Sequence, residues 1–345
     1  MVKLITQEIG SLRKPEYLST RFHKFSETER SEKAGKAAKE MIGRFHDIGI
    51  DNLGIAGEMF RWEMYEHLAK YIDGIKFYGH VRSFDNRYYL KGSVVSELNL
   101  RESPHSEEFE FVLNNTTKDV KVPITGPYTM MDWSFNDHYE KRDELAMAFA
   151  RAINAEIRNL KKIWQRSGRS GPLQIQIDEP AGTTHKNEAN ILTDSVNESI
   201  KGISDCEFTI HVCYTSGYPE FFKSVPDLRL HGLNLEFANR DSDAPGIDEN
   251  SRKGYVFLKN YVEALETSDH KMFMGLGVVD VHRDFIEPPE LIRDRILFAN
   301  KIIEDPALLR INPDCGLRTR SIDTSFRKLG NMVAGTRLAQ EVISK

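Results

Sequence analysis

The sequence predicts an α/β fold, a (β/α)8 barrel, and three observations support this prediction. Short apolar runs rich in β-branched residues alternate with amphipathic stretches about eight times along the 345 residues, which is typical of a parallel barrel. Polar or unusual residues follow nearly every run. A barrel gathers such residues on one face, whereas the rival doubly wound sheet spreads them along an edge. No Pro-, Gly- or Ser-rich linker interrupts the chain, so we expect a single domain over residues 1–345.

The predicted strands are short apolar runs bounded by glycine, proline or charged residues. In chain order they span residues 3–10, 51–57, 91–96, 121–127, 173–180, 208–214, 228–237, 271–279 and 308–312. The predicted helices lie between them, at residues 31–47, 58–71, 141–165, 253–267, 289–303 and 321–343. In the longest of these, Leu145, Phe149 and Ile153 recur every four residues and form one helical face.

One region breaks this alternation. Residues 80–120 contain several short strand-like pieces and no good helix. We expect a barrel strand there, at 91–96, together with a β-rich insertion around residues 80–120 that covers the mouth of the barrel.

Composition and charge exclude several classes of protein. The chain has 47 basic and 52 acidic residues, a net charge of -5, and 40% hydrophobic residues, so it can fold around a large core. Without a long Lys/Arg block, neither nucleic acid nor a membrane is expected as partner. The longest apolar run, 272–279, is well short of the ~18 residues of a membrane span. The first ten residues lack the apolar segment of a signal peptide, so we expect a cytoplasmic protein.

A histidine and a cysteine at the end of one predicted strand indicate a metal site. Side chains alternate along a strand, so His211 and Cys213 point to the same face, and in a barrel that face is the mouth. Nitrogen and sulfur are the ligands that Zn²⁺ prefers. Glu236 ends the next predicted strand and Cys315 lies in the turn after the last one, which makes them the candidate third and fourth ligands.

The three cysteines can be distinguished by position. A His-x-Cys pair alone is more often an ordinary interior feature, and that alternative stays open for Cys213. Cys315 argues against it, because the turn Pro-Asp-Cys-Gly offers no packing niche for a thiol. Cys206 lies an odd number of residues before His211, faces the opposite side and has no expected role. A carboxylate ligand that yields to an incoming thiol would leave that thiol deprotonated and ready for alkylation.

Eight short motifs follow one another along the chain. They are IGS (9–11), GE (57–58), TGPYTMMDWSF (125–135), QIDEPA (176–181), HVC (211–213), LE (235–236), GVVDVH (277–282) and NPDCGL (312–317). In this order they resemble the C-terminal catalytic barrel of the cobalamin-independent methionine synthases, in the stand-alone short form common in archaea. The resemblance runs nearly end to end and implies that His211, Cys213, Glu236 and Cys315 bind zinc.

The resemblance also implies a homocysteine site. Ile9, Gly10 and Ser11 would hold the carboxylate of this substrate, and Glu58 and Asp178 would pair with its ammonium group. For Glu58 an alternative stays open, because an acidic residue at the start of the predicted helix 58–71 is also favoured by the helix dipole.

The donor side of the site follows from the same resemblance. Arg87, Tyr88 and Trp133 would contact the methyl donor, although core packing is an equal alternative for Trp133, and His282 would be the proton donor. The segment DEPAGTTH (178–185) departs from the family pattern DEPALRE, which favours a corrinoid or corrinoid protein over a methylated folate or pterin as donor.

The function predicted from these features is zinc-dependent methyl transfer to the thiolate of homocysteine, forming methionine. Two alternatives stay open: methyl transfer to another thiol such as coenzyme M, and a zinc-stabilised binding protein without turnover. The first needs no carboxylate pair for an ammonium group. The second predicts that metal removal unfolds the chain.

Overall fold

The computed structural model describes residues 3–82, 88–215 and 218–345. Its strands are β1 (Ile5–Thr6), β2 (Ile72–Arg82), β3 (Tyr88–Leu100), β4 (Lys121–Thr125), β5 (Phe135–Asn136), β6 (Leu173–Asp178), β7 (Cys206–Val212), β8 (Gly232–Leu235), β9 (Phe273–Gly277) and β10 (Leu309–Asn312). Its α-helices are α1 (Glu16–Ser19), α2 (Glu27–Ile48), α3 (Met64–Ala69), α4 (Ser106–Asn115), α5 (Pro127–Asp132), α6 (Arg142–Arg166), α7 (Ala189–Ile200), α8 (Tyr218–Phe222), α9 (Leu258–Glu266), α10 (Pro289–Ile303) and α11 (Ile322–Ile343). Short 3-10 helices lie at residues 22–24, 186–188, 225–227, 238–240, 253–255 and 306–308.

Seven of these strands form a curled parallel sheet in the order β1-β10-β9-β8-β7-β6-β4. Because the strands are parallel, their carboxyl ends meet on one face, and the predicted strand-end residues lie there. The register pairs Asp178 with His211 and His211 with Asn234, so these residues are level across β6, β7 and β8. The predicted α/β barrel-type fold is therefore confirmed.

The sheet is open, however, rather than a closed barrel of eight strands. The predicted strand 51–57 is reduced, in the described residues, to isolated parallel bridges from Asn52 to Gln7 and to Asp119, which span the gap between β1 and β4. The chain cannot remain extended beyond this point. Residues 54, 56, 57 and 58 all have positive φ, between 55 and 77°, which turns the backbone sharply away from the sheet.

The β-rich insertion is confirmed as an element but begins earlier than predicted. Strands β2 and β3 form an antiparallel hairpin, with β5 added along the other side of β3. The predicted barrel strand 91–96 therefore belongs to this hairpin, because strands joined by a short connection pair antiparallel, whereas a parallel barrel strand needs a long crossover. The prediction of no helix within 80–120 was also wrong. Phe109, Val112 and Leu113 are buried on one face of α4.

The long helices match their predicted positions, and local signals explain their ends. Ser26 precedes α2 and its hydroxyl accepts the backbone N–H of Glu29, while Gly49 ends the helix with a φ of 73°. Ser321 caps α11 in the same way. By contrast, the predicted helix 58–71 shortens to α3. Among the described residues, none of these helices has both the length and the apolar character needed to cross a lipid bilayer.

A layer of hydrogen-bonded amides fills the centre of the sheet beneath the strand ends. The side chain of Gln7 donates to Asn234 at 2.8 Å and to Asn312 at 3.2 Å, and Asn234 donates to Gln176 at 2.8 Å. All four side chains are fully buried. Buried amides are costly unless they are paired, so this network ties together β6, β8, β10 and the residue that follows β1.

Replacing Gly275 with alanine should destabilise the protein through this layer. A Cβ at Gly275 on β9 would lie 2.0 Å from Oδ1 of Asn234 and 2.6 Å from Oδ1 of Asn312. We expect Gly275→Ala to lower the free energy of unfolding by about 1–3 kcal/mol, as measured by urea denaturation. Gly43→Ala is the matched control. A Cβ there, inside α2, meets nothing within 4 Å, and the change should stabilise by about 0.5–1 kcal/mol. Equal destabilisation by both would contradict this account of the layer.

Candidate active site

Three predicted metal ligands meet at the carboxyl ends of β7 and β10. The ligand atoms of His211, Cys213 and Cys315 all lie within 4.8 Å of one another, and Nε2 of His211 is 3.4 Å from Sγ of Cys315. Nδ1 of His211 lies 2.9 Å from the backbone carbonyl of Asn234. Because that carbonyl can only accept, Nδ1 donates a proton to it, which leaves Nε2 as the ring nitrogen directed at Cys315.

The protonation states of these three side chains depend on one another. The hydrogen bond from Cys213 and the adjacent His211 hold the pKa of Cys315 well below its usual range despite burial. The pKa of Cys213 is correspondingly raised, by its hydrogen bond to Cys315 and by burial. Burial lowers the pKa of His211, but the Cys315 thiolate outweighs this and raises it to about 9. A cluster that holds a thiolate and attracts a positive charge is suited to a metal ion.

The fourth predicted ligand lies beside this cluster. Glu236 follows β8 directly and is fully buried. Its carboxylate accepts the backbone N–H of Tyr214 at 2.5 Å and the side-chain amide of Asn239 at 3.1 Å. Burial and the nearby Cys315 together raise the pKa of Glu236 to about 7. The carboxylate is therefore close enough to influence the thiols, but its hydrogen bonds hold it outside the three-residue group.

A cavity opens directly against the cluster, and all five predicted homocysteine positions line it. Gly10 and Glu58 are in close contact, because a Cβ at Gly10 would lie 2.8 Å from Oε1 of Glu58. Gly316 and Ser11 are similarly close, because a Cβ at Gly316 would lie 2.7 Å from Oγ of Ser11. The two glycines let three loops converge on one space. The lining residues are Ile9, Gly10, Ser11, Glu58, Met64, Asp178, Pro180, His211, Cys213, Tyr214, Cys315, Gly316, Arg318 and Thr319.

Glu58 occupies a strained backbone position rather than a helix start. Helix α3 begins six residues later, and the side chain of Glu63 caps it by accepting the N–H groups of Tyr65 and Glu66. Glu58 itself has a φ of 60°, which a residue with a side chain rarely adopts. The alternative of a helix-start acid therefore does not apply. Strain of this kind is maintained where the position of a side chain matters.

The adjacent carboxylates Asp178 and Glu179 have different environments. Glu179 accepts the backbone N–H groups of Tyr128 and Thr129 and the hydroxyl of Thr129, which ties it to the first turn of α5. Asp178 faces the cavity, and its hydrogen-bond donor is the amide of Gln176 at 2.8 Å. Burial raises the pKa of Asp178 to about 7. Asp178 is thus the carboxylate of the pair that a ligand can reach.

Comparison with known proteins identifies the family. The family model described as "Cobalamin-independent synthase, Catalytic domain" matches residues 5–338. The chain belongs to the cobalamin-independent synthase family. The resemblance and the expectation of an enzyme of the methyltransferase class are thereby confirmed.

Relatives matched over nearly their whole length agree with this assignment, and a solved structure shares the fold. A protein named methionine synthase from Thermoplasma acidophilum is 53% identical over 334 residues, covering 96% of this chain and 97% of the relative. One from Thermococcus kodakarensis is 35% identical, covering 99% and 95%. In fold, the chain matches a B12-independent methionine synthase from a Shewanella species, solved with selenomethionine. The TM-score is 0.82 at 24% identity, with 99% of both chains covered.

Two of the residues predicted to contact the methyl donor, Tyr88 and Trp133, do not line the cavity. Tyr88, at the start of β3, is 59% exposed. Trp133 follows α5, is half-buried, and its ring centroid lies 6.0 Å from that of Tyr89. Arg87 lies outside the described residues. Within the described part of the chain, therefore, the structure does not place a donor pocket at these positions, and their role stays a prediction.

His282 lies at the mouth of the synthase cavity, although it does not line it. Its backbone N–H donates to Asp280 at 2.8 Å, and its exposed ring packs edge-on against Tyr214 with centroids 5.2 Å apart. Tyr214, which lines the cavity and has a φ of 54°, was not predicted, although it directly follows the HVC motif. Gln176 was also missed. Its position two residues before Asp178, on the same strand face, was a usable signal.

The different roles of the paired carboxylates can be tested by unfolding at pH 8, where both are ionised. Glu179→Gln should lower the free energy of unfolding by about 1–3 kcal/mol, because its charge-assisted hydrogen bonds to α5 are weakened. Asp178→Asn should leave stability nearly unchanged, because burial raises the pKa of both carboxyls to about 7 but Asp178 has the amide of Gln176 as its donor where Glu179 accepts three hydrogen bonds. Urea denaturation measures both. A larger loss from Asp178→Asn would reverse the assignment.

Proposed function

We propose that this synthase transfers a methyl group to the thiolate of homocysteine and forms methionine, with zinc as its metal. The observation that supports this most directly is the cluster of one imidazole and two thiols within 4.8 Å, open to a cavity that also contains two carboxylates. Separate parts of the site would then serve the sulfur and the amino-acid end of one substrate.

The donor set fits zinc. Two sulfurs and one nitrogen leave a fourth tetrahedral position, and Nε2 of His211 is the nitrogen directed to the cluster. Glu236 is the candidate for the fourth position. When bound, the ion would favour the thiolate form of a substrate sulfur that takes this position.

The chain would hold homocysteine by both of its charged ends. Glu58 and Asp178 would pair with the ammonium group, and Ser11 with nearby backbone N–H groups would bind the carboxylate. These contacts fix the direction of the sulfur, and such orientation can lower the barrier by several kcal/mol. Coenzyme M has no amine and would leave both carboxylates unpaired, so the pair favours homocysteine over that alternative thiol.

Metal retention should depend on two cysteines and not on the third. Cys213→Ser and Cys315→Ser should each lose zinc on dialysis and lose activity, because a hydroxyl stays protonated and binds zinc poorly. Cys206→Ser is the control, since Cys206 lies in the apolar core at the start of β7. Elemental analysis measures zinc, and X-ray absorption should show one added sulfur ligand with homocysteine. Zinc loss from Cys206→Ser, or an unchanged sulfur count, would contradict the assignment.

Chelation tests the alternative of a zinc-stabilised binding protein. The extensive apolar core should keep the metal-free chain folded, with a cooperative thermal transition. If a strong chelator unfolds the chain, that alternative is favoured.

The ammonium contacts can be tested by comparing two thiols. Glu58→Gln and Asp178→Asn should each weaken homocysteine binding about tenfold or more, because an ionic partner is lost. Mercaptobutyrate, which has the same chain without the amine, should bind these variants as it binds the parent protein. Calorimetry with the zinc-loaded protein measures both. If the two thiols lose affinity equally, the amine does not contact these carboxylates.

The methyl donor, a methyl-corrinoid or a methylated folate, can be distinguished through His282. A folate leaving group must be protonated, so His282→Asn should slow turnover with methylfolate by roughly 10²–10⁴-fold. A corrinoid leaves as reduced cobalt and needs no proton, so the loss with methylcobalamin should stay within about tenfold. We favour the corrinoid. Turnover assays with zinc, homocysteine and each donor give the answer, and a large defect with methylcobalamin would remove His282 from this role.

A further inference from the structure

Two of the proposed zinc ligands follow strands that are not neighbours in the sheet. Glu236 directly follows β8, and Cys315 lies in the turn after β10, while β9 runs between these two strands. The hydrogen bonds of a sheet join neighbouring strands, so they do not connect the two ligands directly. The distance between these ligands therefore depends on contacts made above the strand ends.

Asp314, the residue before Cys315, makes such a contact. Its carboxylate accepts the three backbone N–H groups that directly follow Glu236. These belong to Phe237 at 2.9 Å, Ala238 at 3.0 Å and Asn239 at 2.7 Å. The side chain of Asp314 is fully buried, and hydrogen bonds to an ionised carboxylate are among the stronger ones. One side chain thus joins the segment after one proposed ligand to the residue before the other.

The structure leaves just enough room above β9 for this carboxylate. Gly277 ends β9, and a Cβ there would lie 2.2 Å from Oδ1 of Asp314. The backbone N–H of Asp314 donates to the carbonyl of Val279 at 2.9 Å, which holds the turn against the segment after the same strand. Asp314 therefore reaches across β9 in a space that a longer side chain would not fit.

The connection continues to the carboxylate of Glu236. The side-chain amide of Asn239, whose backbone Asp314 holds, donates to Oε2 of Glu236 at 3.1 Å. Asp314 itself is not among the residues that line the cavity. It can influence the site only through the residues that it positions.

We propose that Asp314 is a positioning residue of the metal centre, which holds the Cys315 turn and the Glu236 segment at the spacing that the ion requires. The spacing is then formed before the ion binds. Replacing the hydrogen-bond partners that orient metal ligands typically lowers metal affinity about 10–100-fold. This role rests on the proposed zinc centre, but it does not depend on the identity of the thiol or of the methyl donor.

Metal binding without turnover tests this role. Competition with a chromophoric chelator at pH 8 gives the zinc affinity, and the visible bands of bound Co²⁺ report its coordination geometry. Asp314→Asn keeps the size of the side chain but replaces one accepting oxygen with an NH2 group. It should lower zinc affinity about tenfold or more and change the Co²⁺ bands. Asp314→Glu keeps the charge but not the position of the oxygens, and it should lower zinc affinity as well.

Glu156→Gln is the matched control. Glu156 on α6 is also fully buried, and its Oε1 accepts the hydroxyl of Ser103 at 2.9 Å and the backbone N–H of His105 at 3.2 Å. It is not among the residues that line the cavity. Glu156→Gln should bind zinc and Co²⁺ as the parent protein does, even if it lowers the thermal transition.

Hydrogen exchange of the metal-free parent protein tests the same role without any variant. The N–H groups of residues 237–239 should be protected from exchange before the ion binds, because the carboxylate already accepts them. Protection that appears only with zinc would show that the spacing is not formed in advance and would overturn the proposal.

The outcomes separate this proposal from the proposed function. Parent-like zinc affinity in Asp314→Asn, or an equal loss in Glu156→Gln, overturns the positioning role. Parent-like affinity in Asp314→Glu shows that only the charge matters and overturns it too. If the parent protein binds no zinc, the proposed metal centre fails together with this role. A parent protein that binds zinc but has no turnover refutes methyl transfer alone and leaves the metal-binding result intact.

Discussion

The amide layer at the centre of the sheet is the interaction on which the site depends. Asn234 lies within it, and its backbone carbonyl orients His211. Gln176, in the same layer, donates to Asp178 and to the backbone carbonyl of Ile9 at 2.9 Å. One buried network therefore positions His211, Asp178 and the first loop of the cavity. Because a partly satisfied buried network is costly, the geometry above it has little freedom to relax.

This layer also makes the inner face of the sheet polar beneath the strand ends. The inner face of a barrel is ordinarily filled by branched apolar side chains. Here Gly275 faces Asn234 and Asn312, and no larger side chain fits between them. The apolar residues pack instead on the outer side of the sheet, as Val212 and Leu235 do against the helices. The protein thus keeps a conventional core around a polar centre that carries the chemistry.

Much of the architecture could be read from the sequence because it depends on local patterns. The alternation of short apolar runs with longer amphipathic stretches predicted most strands and the long helices. The alternation of side chains along a strand predicted that His211 and Cys213 share one face and that Cys206 does not. The hairpin, the loss of the strand at 51–57 and helix α4 could not be read in this way. Each depends on partners distant in sequence, or on positive φ values at residues such as Ala56 and Glu58 that propensity does not reveal.

Residues that lie within a recognisable motif could be predicted from the sequence as cavity residues. Residues that reach the cavity only through the path of the backbone could not. The cavity unites Ser11, Glu58 and Asp178 as expected, yet the location of the donor positions Tyr88 and Trp133 was not determined by their motifs. Tyr214 and Arg318 enter the cavity only because neighbouring loops converge there, and neither has a spacing that signals it.

The gap in the sheet at Asn52 affects how firmly the two sides of the cavity are held together. One side of the cavity is the segment after β1 that contains Ser11, and the other is the turn that contains Glu58. The backbone N–H of Leu12 donates to the carbonyl of Gly57 between them, while the sheet below is joined through Asn52 rather than a full strand. A ligand that contacts both sides links them across this gap. Part of its binding free energy therefore opposes separation of the two sides. For a ligand that contacts both sides, affinity and rigidity of the scaffold are therefore thermodynamically coupled, and a change that loosens this part of the sheet weakens binding without touching a contact residue.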